Sequence, residues 1–150
     1  MMSKFFLSVV CLLILSSCGY EPIYSTKNLN FTIGNIEKNN TSLNNKFAKT
    51  INAFKNEKIN RKIDIKIQSD KKIQIKSKDT KGNALVFELG INLKISNLNT
   101  KNKEQQSFSR KITYNNSDDK FKLNQYEKEL ENILITKLVE DLINYLSNLE

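Results

Sequence analysis

Leu85-Val86-Phe87-Glu88-Leu89-Gly90-Ile91-Asn92-Leu93-Lys94-Ile95 places a large apolar residue at every second position. Successive side chains of a strand point to opposite faces, so Leu85, Phe87, Leu89, Ile91, Leu93 and Ile95 share one face, which needs a cover. A helix would scatter the same residues around its axis. The stretch therefore reads as a strand with one buried side, and the rest of the chain has to supply what lies beside it and above it.

Upstream, Ile63, Ile65 and Ile67 alternate in the same way, and Ile73 and Ile75 resume in phase beyond the polar Ser69-Asp70-Lys71-Lys72. This predicts one interrupted strand that keeps one apolar face. Between the two strands, Asp79-Thr80-Lys81-Gly82-Asn83 has the composition of a turn, with a glycine for positive φ. Downstream, Asn97 to Gln105 is a polar loop, and Phe108, Ile112 and Tyr114 mark another strand from about Gln106. The three strands predict an antiparallel meander.

The cover comes from the flanks. Leu43, Phe47, Ile51 and Phe54 recur at spacings of four and three, predicting a helix from Leu43 to about Lys58 capped by Thr41 or Ser42. Phe31 to about Glu37 precedes it as a short strand. At the C-terminus Tyr126, Leu130, Ile133, Leu134, Leu138, Leu142, Tyr145, Leu146 and Leu149 form one broad helical stripe, with Asn116, Ser117 or Asp118 as the expected cap. The order strand, helix, three strands, helix is that of an α+β two-layer sandwich: a four-stranded, mostly antiparallel sheet with both helices on one face.

At 150 residues, 39% hydrophobic and 27% charged, the chain suits one globular domain. Its formal charge of +8 would suit a polyanionic partner. The lysines are nevertheless spread along the chain, and the abundance of Asn, Lys and Ile is what an AT-rich genome imposes; a nucleic-acid partner is not expected. Lysines such as Lys46 and Lys49 read as ordinary solvated charges.

The N-terminus is of a different kind. Met1 to Lys4 is a short positive start and Phe5 to Leu15 is apolar without a charge, as in a secretory signal. The run is shorter than the roughly 20 apolar residues that a membrane-spanning helix needs. Leu15-Ser16-Ser17-Cys18 resembles a bacterial lipobox, with small residues ahead of the cysteine for the peptidase cleft. The resemblance implies removal of residues 1–17 and acylation of Cys18, followed by a tether over 18–30 and a domain over 31–150. Two or more acyl chains, at about 0.8 kcal/mol per buried methylene, hold a protein to a membrane stably. Of the two cysteines, Cys11 lies in the apolar run, so the mature chain would keep Cys18 alone, with no internal disulfide.

Beyond the anchor, Cys18, Gly19, Tyr20, Pro22, Ile23 and Tyr24 resemble the start of the mature chain in the lipopolysaccharide-assembly lipoprotein family LptE, of the alphaproteobacterial type. That resemblance implies the same order of elements. It also implies an outer-membrane lipoprotein, anchored on the periplasmic face, that plugs an LptD-type β-barrel, helps it assemble and binds lipopolysaccharide on its way to the cell surface.

Catalytic chemistry is sparse. With no histidine there is no imidazole base, and four glycines form no phosphate loop. No metal, cofactor or enzymatic activity is expected. Glu127, Glu129 and Glu131 alternate along a helix and read as a solvated face. Function is expected to lie in binding, and the candidate residues are cationic: Lys71, Lys72, Lys78 and Lys81 on one strand and its hairpin, Lys120 and Lys122 before the last helix. A lysine ammonium pairs with phosphate as a point charge. In the LptE family the basic residues that contact lipopolysaccharide lie at the hairpin after the second strand and at the entry to the final helix, near Lys81 and Lys122 here. The alternative is a structural or scaffold lipoprotein of the envelope that does not handle lipopolysaccharide.

Overall fold

A computed structural model of the chain describes residues 29–99 and 105–149. The signal segment, Cys18, the motif through Tyr24 and nearly all of the tether lie outside the described residues, as does part of the loop before Gln105. The elements are β1 (Thr32–Lys38), α1 (Ser42–Asn52), β2 (Lys62–Lys78), β3 (Ala84–Asn97), β4 (Gln105–Asn115) and α2 (Lys120–Ser147). They build one four-stranded sheet in the order β1-β2-β3-β4. The β2–β3 and β3–β4 pairs are antiparallel, whereas β1 returns through α1 to lie parallel to β2. The expected α+β class and element order are those observed.

The alternation of β3 does what its sequence requires. Leu89, Ile91, Leu93 and Ile95 are buried with Ile63, Ile65 and Ile67 of β2, beneath Phe47 and Ile51 of α1 and Leu134, Leu138 and Leu142 of α2. Burial of this one face against helices is the main stabilising term, at roughly 25 cal/mol per Å² of apolar surface removed from water. The opposite face carries polar partners such as Asp70 and Asn92, and among the described residues no helix lies over it.

Four sequence expectations change. First, β2 runs unbroken through Ser69–Lys72, because three of its four polar residues find partners: Ser69 Oγ donates to Asn44 Oδ1 (2.6 Å), Asn92 Nδ2 donates to Asp70 Oδ1 (3.3 Å), and Lys71 reaches α2; the fourth, Lys72, is exposed on the uncovered face. Second, α1 stops at Asn52 rather than near Lys58. Its C-terminus tightens into i→i−3 bonds, Phe54 N–H to Ile51 O (2.9 Å) and Lys55 N–H to Asn52 O (3.2 Å), and Asn56 N–H then bonds Thr32 Oγ1 on β1 (2.8 Å). Thr41 is the cap at its start, accepting from Asn44 N–H (3.2 Å).

Third, Asp119 caps α2, accepting from Lys122 N–H at 3.0 Å. The buried stripe of α2 is also rotated: Ile135, Val139 and Ile143 are buried, and Tyr126 and Ile133 are exposed on the flank beside β4. On that flank Tyr126 meets Tyr114 edge-on at 6.3 Å, and Arg110 grips Asp141 through two hydrogen bonds of 2.7 and 2.8 Å. Fourth, Ile73, Ile75 and Leu85 lie in the expected phase yet are exposed, because α1 covers only the first part of β2. The apolar face of the sheet thus extends past its helical cover at the hairpin end.

β1 contains a close approach that explains a glycine. Its register with β2 shifts between Ile33 and Ile36, and Asp64 Oδ1 accepts from Asn35 N–H at 2.6 Å inside that irregularity. A Cβ on Gly34 would collide with the same oxygen.

Candidate polyanion-binding end

The turn between β2 and β3 is built around one carboxylate. Asp79 Oδ1 accepts from Lys81 N–H and Asn83 N–H, both at 2.8 Å, and Oδ2 accepts from Asn83 Nδ2 at 2.9 Å. Gly82 adopts φ +88°, the left-handed conformation the turn needs. The hydrogen bond from the Asn83 side chain, joined by those from the backbone, holds the Asp79 carboxyl below the usual carboxylate range. Asp79 is spent on the turn, and the Lys81 side chain is displayed at its tip with no ion-pair partner among the described residues.

Backbone bonds bring the start of α2 to the same end. Asn116 N–H donates to Leu85 O and Asn116 Nδ2 to Ala84 O, both at 2.8 Å. Lys120 Nζ folds back onto Asn116 Oδ1 and Ser117 O, both at 3.0 Å, and Lys122 lies 3.4 Å from the capping Asp119. Four of the six candidate lysines, Lys78, Lys81, Lys120 and Lys122, are therefore gathered at one end of the sandwich.

The other two are elsewhere. Lys71 and Lys72 lie seven and six residues down β2 from Lys78, roughly 20 Å away at strand rise. They also point to opposite faces. Lys72 lines a shallow polar hollow on the uncovered face with Asp70, Gln74, Glu88, Gly90 and Lys111. Lys71 crosses the helix face to Glu131 at 2.6 Å.

That contact corrects the reading of the α2 acids. Glu131 is only 6% exposed and bridges two cations, Lys46 of α1 at 2.5 Å and Lys71 of β2. Burial opposes its ionisation, but the two lysine hydrogen bonds and charges outweigh that, and its carboxyl is held below the ordinary glutamate value. Glu127 accepts from the Tyr114 hydroxyl at 2.6 Å, and burial together with this bond pushes the phenol pKa up. Lys46 is consequently not an ordinary surface lysine. A charge placed in the apolar phase of a helix was the available sign: Glu131 sits beside Leu130 and four residues before Ile135.

The sequence reading also missed what lies among the gathered lysines. Phe121, between Lys120 and Lys122, is 79% exposed in the first turn of α2, and Ile73, Ile75 and Leu85 are exposed at the same end. Cations interleaved with exposed apolar side chains suit a ligand that is both anionic and greasy. Among the described residues no acidic or cysteine cluster could hold a metal ion, and no helix is long and apolar enough to cross a membrane.

No protein-family model matches the chain, and no curated protein matches it in sequence. Solved structures do resemble it in fold. Rare lipoprotein B of Shewanella oneidensis is 13% identical, with a TM-score of 0.55 over 78% of this chain and 98% of that one. Lipoprotein B of Nitrosomonas europaea is 13% identical, with a TM-score of 0.56 over 85% and 91%. A minor lipoprotein of Acinetobacter baumannii gives 13% and 0.56 over 77% and 92%. The fold of this chain is thus one found in bacterial lipoproteins.

Proposed function

We propose that this chain is a non-catalytic outer-membrane lipoprotein of the LptE type, anchored through acylated Cys18, which plugs an LptD-type β-barrel, assists its assembly and binds lipopolysaccharide in transit. The observation that carries the reading is a conjunction. A lipobox followed by Gly19, Tyr20, Pro22, Ile23 and Tyr24 stands at the head of a domain whose fold recurs in bacterial lipoproteins. Neither half depends on the other: the motif lies outside the described residues, and the fold follows from periodicity and packing.

The amphipathic end adds chemical support. Lipopolysaccharide carries phosphates and acyl chains together, and Lys78, Lys81, Lys120 and Lys122 beside Phe121, Ile73, Ile75 and Leu85 offer groups for both. Lys71 contributes less, since Glu131 already neutralises it.

The test is copurification. Tagged full-length chain extracted in detergent should bring down a large β-barrel in about equal amount. Recovery of peptidoglycan, or of no partner, would favour the scaffold lipoprotein instead. Lys81→Glu with Lys122→Glu should then lower lipopolysaccharide binding while leaving the barrel bound. Reversal of the exposed Lys49 and Lys55 is the proper control, because Lys46 is committed to Glu131.

A further inference from the structure

The uncovered face of the sheet has a second cationic feature, far from the hairpin. Where the first half of β2 meets the last half of β3, a hollow of about 270 Å³ is lined by Glu37, Lys66, Gln68, Lys94, Ser96, Leu98 and Gln105. The register explains how residues so distant in sequence converge. Lys66 lies opposite Ser96 and Gln68 opposite Lys94, so the two lysines are diagonal neighbours across the β2–β3 pair; Gln105 faces Ser96 from β4, and Glu37 faces Lys66 from β1. All are on the side opposite Ile65, Ile67, Leu93 and Ile95.

Among the described residues the charges of this hollow are not balanced within it. Neither Lys66 nor Lys94 has a carboxylate within ion-pair distance among the described residues, whereas Lys46, Lys71, Lys76, Lys111 and Lys122 each do. Asp64, on the same face next to Lys66 in alternation, is engaged by Asn35 N–H. Glu37 is on the rim, near enough to line the hollow but not to close an ion pair. Two unpaired ammonium groups from separate strands, with a hydroxyl and two amides between them, match an anion that has more than one charge and several acceptor oxygens. A carboxylate has a single charge, while a phosphate monoester carries about −1.5 to −2 at pH 7 with three acceptor oxygens.

We infer that the Lys66–Lys94 hollow is a binding site for a phosphate group, with both ammonium groups on its oxygens and Ser96, Gln68 and Gln105 donating the remaining hydrogen bonds. This goes beyond the barrel-plug reading and does not rest on it. The hollow is on the opposite face from the helices and roughly 40 Å along β2 from Lys78 at strand rise. The phosphate monoester is either soluble or the headgroup of a phosphatidic-acid-type lipid, since the phosphodiester of other phospholipids carries a single charge, and the two sources are separable.

Isothermal titration of the full-length chain in nonionic detergent should be run with glycerol 1-phosphate and with dihexanoyl phosphatidic acid. One phosphate per chain is expected, with binding about tenfold weaker in Lys66→Gln and in Lys94→Gln, as for loss of one charge-assisted contact at a surface site. Glu37→Gln should bind about threefold more tightly, a gain that a damaged fold would not produce. Equal affinity for the two ligands supports the site and identifies a soluble phosphate; at least tenfold preference for the lipid supports the site and identifies a headgroup. The inference is overturned if neither ligand binds, or if Lys49→Gln and Lys55→Gln weaken binding as much as the two pocket variants do.

Discussion

Glu131→Gln tests how the two helices are fastened to the sheet. The glutamine keeps the size of the side chain and removes its charge, so that Lys46 of α1 and Lys71 of β2 lose their common partner. Breaking a fully buried ion pair from one side costs about 3–5 kcal/mol, because the remaining charge is stranded. Here the lysine side chains are 39% and 42% exposed and can turn to water, and the glutamine amide can still accept one hydrogen bond. The cost should therefore fall to about 1–2 kcal/mol, or roughly 4–8 °C in Tm for a domain of this size. Thermal melts followed by far-UV circular dichroism at several pH values would measure it. The sign with pH is fixed: the folded carboxyl titrates below its ordinary value of 4.5, so its stabilisation is present above that value and is lost as pH falls through the folded pKa. The gap in Tm between native protein and variant should be full at neutral pH and should shrink below about pH 4.5. An unchanged Tm at pH 7, or a gap that persists unaltered at the acid end, would refute the bridge.

Leu89→Ala, which empties a fully buried site in the middle of β3, should cost about 2–5 kcal/mol, while Lys94→Ala on the uncovered face should leave Tm nearly unchanged. Gly34→Ala should destabilise by displacing the Asp64 carboxylate, and the double change with Asp64→Ala should recover part of the loss in chemical denaturation, because the collision is with that side chain and not with backbone. Cys18→Ser should leave uncleaved precursor and abolish labelling by a radioactive fatty acid; normal processing and membrane retention would sink the lipobox reading.

What was legible in the sequence was whatever a local period carries. The alternation from Leu89 to Ile95 marked β3 and its face, and Phe47, Ile51, Leu134, Leu138 and Leu142 marked the covering helices. What was not legible depends on partners distant along the chain. Ser69–Lys72 looks like an interruption because Asn44, Asn92 and Glu131, which satisfy it, lie 25, 22 and 60 residues away. The early stop of α1 depends on Thr32 receiving the Asn56 N–H. The exposed Ile73 and Ile75 follow the strand period as faithfully as Ile63 and Ile65, and only the length of α1 distinguishes the covered pair from the bare one. Of the candidate lysines, a sequence scan could list them all but could not tell Lys71, already neutralised, from Lys81, which is not. Lys66 and Lys94 meet only through strand register.

The register also sets the distance between the two ends of the sheet. Thr32, at the start of β1, lies opposite Lys62, the first residue of β2, and β2 then runs 17 residues to Lys78. At strand rise this separates the point where the chain enters the sheet from the hairpin by roughly 50 Å. The Lys66–Lys94 hollow belongs to the entry end, and the cluster of Lys78, Lys81, Lys120, Lys122 and Phe121 to the far end. With acyl chains on Cys18, ten residues would separate the anchor from Leu29, a reach of roughly 35–40 Å when extended. An upright domain would carry its amphipathic end away from the anchoring leaflet and would keep the proposed phosphate hollow at the end nearer the headgroups. A domain lying along the membrane would bring both regions to the same surface. Binding of phosphatidic acid at Lys94 together with lipopolysaccharide at Lys81, measured on one lipid-anchored chain, would therefore report orientation as well as specificity: simultaneous occupation by ligands from different surfaces requires the upright arrangement.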